Sequence, residues 1–303
     1  MTQMIPFEAA DKLLDWLALT DALAAGHELP RAEVEDVLLY RDNNTLLNRS
    51  AWIKGMGLAV KCATIFPDNS AADIPMVNGA VTLFSDTNGT LEAILDFHLV
   101  TKWKTAGGSL LAARHLARRD SSKILIVGAG TVGRSLYAAY SALFPDATFT
   151  IWNRSLKGAK AFQAEFPDVV IAPDLEIAVK ASDIITSATM STDPLIKGDW
   201  LQPGQHIDLI GAYRPDMREV DDPAILRSRV FVDNLQTTIG HIGELKIPIA
   251  NGVIDPSHVI ADFYDLPKFK RESDDDITLF KNGGGAHLDL MTACFIRNAW
   301  TAR

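Results

Sequence analysis

The sequence predicts an α/β protein in which a doubly wound parallel sheet is inserted in a second, α+β domain. Two observations carry this prediction. From about residue 105 the chain alternates between amphipathic helical segments and short runs of Ile, Leu and Val, whereas the segment before it is β-rich with a different rhythm. Near-continuous apolar strands between amphipathic helices are typical of a parallel sheet covered on both faces.

The N-terminal third predicts one helix followed by a largely antiparallel sheet. Leucines at helical spacing between Phe7 and Ala25 predict an amphipathic helix that ends at Gly26. Short β-like runs occupy the segment from Val34 to Phe97. Two of these runs, AVTLFS and LEAILDF, flank a turn that contains Asn88-Gly89, which favours a hairpin.

From Thr105 onwards, helix and strand patterns alternate. In order, the segments are SLLAARHLA, KILIVGAG, RSLYAAYSALF, TFTIWNR, GAKAFQAEF, VVIA, LEIAVKA, DIITSAT, HIDLIGA and VFVDN. Such a series is typical of βαβ units. A last helix is predicted after a glycine-rich entry in GGGAHLDLMTACFIRNAW, and the acidic run at 273–276 is predicted to be a solvated turn.

Composition excludes several classes of protein. No apolar run approaches the ~20 residues of a membrane span, and the N-terminal segment lacks the features of a secretory signal, so we expect a cytoplasmic protein without a membrane partner. The formal net charge of −9 has no basic stripe to offset it, so nucleic acid is not an expected partner. Cys62 and Cys294 have no metal or redox spacing, so neither a disulfide framework nor a metal is expected.

A dinucleotide-binding motif lies within the alternating series. The run Gly128-Ala129-Gly130-Thr131-Val132-Gly133 follows an apolar strand and opens an amphipathic helix, which is the context that a G-x-G-x-x-G motif requires. The first glycine permits the tight turn, the second lets a pyrophosphate approach the backbone, and the third allows close helix packing. We therefore assign 113–283 to a Rossmann dinucleotide-binding domain, and 1–112, with 284–303 returning to it, to the second domain.

The end of the next strand bears on which dinucleotide binds. An acidic residue there normally accepts the ribose hydroxyls of NAD, but this strand ends in Asn153-Arg154-Ser155. Arg154 can hold a 2′-phosphate by charge-assisted hydrogen bonds, and Asn153 and Ser155 can add neutral ones. NADPH is therefore favoured as the cofactor, with NADH as the alternative.

At this point the sequence resembles the ornithine cyclodeaminase and mu-crystallin family over nearly its whole length. The resemblance rests on ordered blocks, which are GLAVKCATIFPDN, VTLFSDTNGTLEAILD, VTKWKTAGGSLLAARHLA, VGAGTVG, IWNRS, ASDIITSAT, WLQPGQHIDLIGAYRPDMREVDD, FVDN and LFKNGGGAHLD. It implies a Rossmann domain between N- and C-terminal segments that form a second domain. It further implies that this second domain carries the substrate pocket and the contacts of a homodimer.

The resemblance also implies candidate substrate residues. The family's reactions pass through an imine of an amino acid, so cations are needed to hold an α-carboxylate. Lys61 lies where the family keeps a substrate lysine, and Lys104 lies where most members have arginine; we expect both to be catalytic, Lys61 as proton donor or electrostatic partner of the carboxylate. Arg49 is a further carboxylate ligand, with Arg41 as the alternative.

Four more positions follow from the same resemblance. Thr105 is expected to hydrogen-bond the substrate or the nicotinamide amide, Asp289 matches a substrate-binding aspartate in the last helix, and Thr189 follows the fourth strand near the cofactor. For these three a role as a cap or core contact stays open. Tyr213, assigned to the cofactor site, stands where cyclodeaminases have an aspartate that acts as acid and base.

That tyrosine favours reduction over cyclodeamination. Phenols are poor general bases near neutrality because their ordinary pKa is about 10, and cyclodeamination moves protons at several stages. We expect an NADPH-dependent reductase of a small cyclic imino acid, with Δ1-pyrroline-2-carboxylate going to L-proline as first choice and the six-membered piperideine homologue as second. The alternatives are an ornithine or lysine cyclodeaminase, an alanine dehydrogenase-like enzyme, and a non-catalytic, crystallin-like NADPH binder.

Overall fold

Two compact units make up the chain. The computed structural model describes residues 2–72 and 74–303. The first unit comprises Met1–Lys104 and Gly285–Arg303, and the second comprises Thr105–Gly284. The division falls inside a helix, after Lys104, whereas the sequence analysis expects it after residue 112.

A six-stranded sheet forms the centre of the first unit. Its strands are β1 (Gln3–Ile5), β2 (Glu33–Arg41), β3 (Asn44–Ile53), β4 (Gly57–Ile65), β5 (Val77–Phe84) and β6 (Leu91–Asp96). Their order across the sheet is β1-β6-β5-β4-β3-β2. The β1–β6 pair is parallel and the other neighbouring pairs are antiparallel, so the predicted, largely antiparallel sheet is confirmed. The predicted hairpin joins β5 to β6, and Gly89 in its loop has a φ of 70°.

An eight-stranded sheet forms the centre of the second unit, and the predicted doubly wound parallel sheet is confirmed. Its strands are β7 (Lys123–Val127), β8 (Thr148–Trp152), β9 (Val170–Ile171), β10 (Ile184–Ser187), β11 (His206–Leu209), β12 (Ser228–Val232), β13 (Val259–Ala261) and β14 (Ile277–Lys281). Every neighbouring pair is parallel in the order β13-β12-β14-β11-β10-β7-β8-β9. The strand order reverses between β7 and β10, and such a switch point is where open parallel sheets bind ligands.

Ten α-helices are present in the described residues. They are α1 (Phe7–Ala10), α2 (Trp16–His27), α3 (Phe97–Leu116), α4 (Thr131–Leu143), α5 (Leu156–Glu165), α6 (Leu175–Ala181), α7 (Asp222–Leu226), α8 (Leu235–Thr238), α9 (Gly243–Ala250) and α10 (Ala286–Thr301). The predicted last helix is confirmed as α10, which packs against α2, β3 and β4. Within residues 2–72 and 74–303, no helix combines the length and the apolar character that crossing a membrane requires.

The single helix predicted from Phe7 to Ala25 is wrong. A 3-10 turn follows α1, and the chain is extended at Leu14 and Asp15 before α2 begins. Asp15 causes this restart, because its carboxylate accepts the Ala18 backbone N–H at 2.8 Å and so satisfies one of the free donors of the new helix. The helix also runs past Gly26 to His27. Gly26 leaves room for Met291 of α10, because a Cβ there would lie 2.8 Å from the Met291 sulfur.

Candidate active site

Lys61 is the centre of a charged cluster in the first unit. It lies in β4 between Ala59 and Ala63, whose side chains share its buried face of the sheet, and it is only 8% exposed. Its Nζ donates to Thr101 Oγ1 at 2.8 Å and to Asp289 Oδ1 at 2.9 Å. Because an ammonium group has three N–H donors, one donor of Lys61 has no hydrogen-bond partner within the described residues.

Asp289 joins two lysines. It lies in the first turn of α10, is 2% exposed, and has Lys104 Nζ 4.0 Å from its Oδ2. Burial alone would raise the pKa of the Asp289 carboxyl, but the positive charges of Lys104, Lys61 and Arg49 outweigh that effect, and the pKa is lowered. The carboxylate is therefore ionised at neutral pH and holds the two buried lysines in place.

Arg49 extends the cluster along the sheet. It is the cross-strand partner of Lys61 in the β3–β4 pair and of Asp36 in the β2–β3 pair. Its guanidinium holds Asp36 in a bidentate pair, with Nε 2.9 Å from Oδ1 and Nη2 2.6 Å from Oδ2. Arg41 lies at the turn end of β2 opposite Asn44, on the other face of the sheet from Asp36. The structure thus brings Arg49, and not Arg41, to Lys61.

The cations of this cluster are of the kind that bind a carboxylate. We call Asp36, Arg49, Lys61, Lys104 and Asp289 the cation cluster. Three of its members are cations and two are carboxylates. Buried charges are retained in a fold only when they are paired or otherwise satisfied, and hydrogen bonds between cations and a carboxylate are among the strongest that proteins make.

The glycine-rich loop of the second unit has the geometry that a pyrophosphate requires. Gly128 has a φ of 111°, and a Cβ there would lie 2.8 Å from the Ala188 carbonyl oxygen. A Cβ on Gly133 would collide with the carbonyl oxygen of Gly128. Around Gly130, in contrast, no atom of the described residues other than its chain neighbours lies within 4 Å of where its Cβ would be. The first and third glycines are therefore needed by the fold, while the second leaves room beside the free N–H groups of the first turn of α4.

Side chains hold this loop in place. Asn153 Oδ1 accepts the Ala129 N–H at 3.1 Å, and Arg134 Nη1 donates to the Ala129 carbonyl at 2.6 Å. Ser155 caps α5 by accepting the Gly158 N–H. Asn153 and Ser155 are thus engaged locally, whereas Arg154 is exposed and has no hydrogen-bond or ion-pair partner in the described part of the chain.

Three more of the predicted site residues lie in the second unit. Thr189 follows β10, where its N–H and its Oγ1 both donate to Glu219 Oε1 at 2.8 Å. Tyr213 lies in the loop after β11, is 58% exposed, and has the Arg214 guanidinium 5.8 Å from its ring centre. Thr105 lies in α3, and its carbonyl accepts a hydrogen bond from Asn282 Nδ2 at 3.1 Å.

Sequence reasoning misses Glu219 and Glu244, which are buried carboxylates beside the ends of β10 and β11. Both are fully buried, and Glu244 accepts the backbone N–H groups of Glu219 and Val220. Burial, and then the charge of Glu219, raise the pKa of Glu244 to about 7. Glu219 stands in the run DMREVDD, where no local pattern separates a buried acid from solvated ones.

Comparison with known proteins finds a matching family profile and several similar proteins. Residues 49–303 match the profile of the Ornithine cyclodeaminase/mu-crystallin family. A Δ1-pyrroline-2-carboxylate reductase of Paracoccus denitrificans is 46% identical, over 97% of this chain and 96% of the relative. A Δ1-pyrroline-2-carboxylate reductase of Thermococcus litoralis, solved with NADH and L-proline, superposes with a TM-score of 0.90 at 25% identity, covering 99% and 98% of the two chains. An archaeal alanine dehydrogenase dimer with bound NAD gives a TM-score of 0.90, also at 25% identity, covering 99% and 96%.

Substitutions in the glycine-rich loop can separate its role in folding from its role in dinucleotide binding. We expect Gly130→Ala to fold with an unchanged melting temperature, because its Cβ would enter open space, but to weaken dinucleotide binding at least about 10-fold by occupying that space. Gly133→Ala is the contrast, since its Cβ collides with backbone and should lower the melting temperature itself. Thermal unfolding and NADPH fluorescence titration measure the two effects, and unaltered binding in Gly130→Ala would contradict the assignment of the loop.

Proposed function

The chain belongs to the ornithine cyclodeaminase/mu-crystallin family, and we propose that it reduces a cyclic ketimine carboxylate with a reduced nicotinamide dinucleotide. The proposed substrate is Δ1-pyrroline-2-carboxylate and the product L-proline, with the six-membered homologue as second substrate. The observation that carries this proposal is the cation cluster, in which Lys61 and Lys104 are buried beside Asp289 and Arg49 lies next to Lys61 on the neighbouring strand. The names of the Paracoccus and Thermococcus relatives support the same substrate.

The residues of the cluster have separate tasks. Reduction of the C=N bond adds a hydride to the ring carbon and requires a proton on the ring nitrogen. When bound, the reduced nicotinamide supplies the hydride. Lys104 and Arg49 hold the carboxylate of the substrate. Lys61 directs its third N–H at the substrate, as proton donor to the nitrogen or as a further ligand of the carboxylate. Asp289 accepts a hydrogen bond from another N–H of the same ammonium group and so fixes its position.

The same cluster is poorly suited to cyclodeamination. That reaction needs a group that takes up and returns protons at the amine. Asp289 has a lowered pKa and is held in an ion pair with Lys61, so its carboxylate is a weak base. Tyr213, at the position of the cyclodeaminase aspartate, is a phenol and not a carboxylate. We therefore propose a reductase and not a cyclodeaminase.

We propose NADPH as the preferred cofactor. Arg154 follows the strand β8, which in this fold ends beside the adenosine ribose. Because Arg154 has no partner in the described residues, its full charge is available for a 2′-phosphate. NADH is the alternative, and the Thermococcus relative was solved with it.

We also propose that the chain forms a homodimer through β2. This edge strand exposes Val37 and Leu39 on one face, with exposures of 49% and 59%, and Leu38 and Tyr40 on the other, with 43% and 73%. An apolar edge strand that is open on both faces favours a protein partner. A second copy fits, since the archaeal alanine dehydrogenase neighbour is a dimer. A cytoplasmic location and the absence of a nucleic-acid partner stay predictions.

The proposed reaction is tested with purified protein, freshly made Δ1-pyrroline-2-carboxylate and NADPH. We expect NADPH oxidation with formation of L-proline, and no ammonia from ornithine with NAD⁺. Lys61→Met should lose about 100-fold or more in kcat/KM. Lys102→Met is the matched control, because Lys102 is the nearby α3 lysine that pairs with Asp11 at 2.8 Å, and it should keep wild-type activity. Ammonia release from ornithine, or a fully active Lys61→Met, would contradict the proposal.

Cofactor choice is tested at the end of β8. We expect Arg154→Ala to raise the Kd for NADPH about 10- to 100-fold, because a charge-assisted hydrogen bond is lost, and to leave the Kd for NADH nearly unchanged. Lys157→Ala removes another exposed cation from the start of α5 and serves as the control. Equal affinity of Arg154→Ala and wild type for NADPH would refute the role of Arg154.

The dimer is tested by light scattering on the eluted protein. We expect the wild type to have twice the mass of one chain and Leu39→Asp to shift toward the monomer, because a charge would be buried at the interface. Leu156→Asp is the matched control, since Leu156 in α5 is also 59% exposed but is not on β2. A monomeric wild type would rule out this interface.

A further inference from the structure

One buried carboxylate ties together the chain segments that follow two neighbouring strands. Glu219 accepts five hydrogen bonds, from Ser187 Oγ at 2.6 Å, Thr189 N and Oγ1 each at 2.8 Å, Gly211 N at 2.7 Å and Ala212 N at 3.2 Å. Ser187 is the last residue of β10 and Thr189 follows it, whereas Gly211 and Ala212 follow β11. The segments also touch directly, because a Cβ on Gly211 would collide with the backbone of Thr189.

A second carboxylate fixes the first one. Glu244 in α9 accepts the Glu219 N–H at 3.0 Å and the Val220 N–H at 3.0 Å. The Glu219 carbonyl in turn accepts the N–H groups of Leu195 and Ile196, each at 3.0 Å. Glu219 is therefore held by its own backbone on both sides, and its carboxylate has little freedom to move away from its five donors.

The position of these segments relates them to one half of the dinucleotide. In a doubly wound sheet the pyrophosphate lies at the switch point, and the adenosine half lies over the end of the second strand. Here the switch point is between β7 and β10, and the second strand is β8. The nicotinamide half of a bound dinucleotide would then lie on the other side, toward the ends of β10 and β11 that Glu219 joins.

We propose that Glu219 is a positioning residue for the nicotinamide half of the dinucleotide site, acting through the backbone of Thr189, Gly211 and Ala212. The inference rests on the proposed function. Glu219 is fully buried and acts through these segments without touching the ligand. By fixing these segments, its carboxylate would keep the surface that supports the nicotinamide ring in one arrangement.

Only a carboxylate suits these donors. Five N–H and O–H groups point at two oxygens, and an ionised carboxylate is an acceptor at every lone pair. In Glu219→Gln the amide NH₂ would face donors at one of the two positions, so at least one backbone N–H would lose its partner. A buried donor without a partner is strongly unfavourable, and the segment would move to satisfy it.

Binding of the whole cofactor and of a fragment tests the inference. The probes are NADPH, followed by its fluorescence, and adenosine 2′,5′-bisphosphate, which lacks the nicotinamide and is measured by calorimetry. For Glu219→Gln we expect the Kd for NADPH to rise about 10-fold or more while that for the fragment stays within about 2-fold of wild type. Asp208→Asn is the control, because Asp208 is an equally buried carboxylate in β11 that accepts hydrogen bonds from Tyr140 and Thr186; both Kd values should stay near those of wild type.

A second, milder variant keeps the inference testable if Glu219→Gln does not fold. Ser187→Ala removes one of the five donors, and because Ser187 is fully buried we expect a smaller rise of about 2- to 3-fold in the Kd for NADPH alone. Equal losses for both probes, or no loss for NADPH, would overturn the inference and leave the proposed function standing. If the wild type binds neither probe and does not bind NADH, the proposed function fails and the inference fails with it.

Discussion

The ion pair between Lys61 and Asp289 is the interaction on which the first unit depends. Its partners are 228 positions apart, so it forms only when the last helix returns to the sheet built by the first hundred residues. A buried pair gives little net stability, since the desolvation of both charges offsets their attraction, but loss of one partner leaves a buried charge unpaired. This pairing therefore places α10 and maintains the charge of the cluster at the same time.

In the second unit, buried carboxylates are paired with backbone N–H donors in place of a cation. Parallel strands end at one edge of the sheet with N–H groups that no neighbouring strand accepts. Glu219 satisfies several of these donors at once, and Glu244 satisfies those of Glu219 itself. The raised pKa of Glu244, about 7, shows how strongly burial and a neighbouring carboxylate oppose its charge.

Errors and omissions in the sequence-based prediction have identifiable causes. The break before α2 depends on Asp15. Its carboxylate caps the new helix, and this cap forms in place of one continuous helix through the same leucines. The sequence analysis does not predict β14, yet that strand lies between β11 and β12. Its five residues ITLFK follow an acidic turn, and a short apolar run of this kind is assigned only by the neighbours that bury it on both faces.

Local patterns determined the parallel sheet, the glycine loop and the family of this protein, because each depends on residues close together in the chain. The spacing of Gly128, Gly130 and Gly133 after an apolar strand already implies a turn, a helix N-terminus and a phosphate site. Tertiary structure alone decided that Arg49 and not Arg41 adjoins Lys61, that Asp289 has a lowered pKa, and that Glu219 is buried. The physical reason is that strand register, burial and electrostatic neighbours are set by residues far apart in sequence, which no local pattern records.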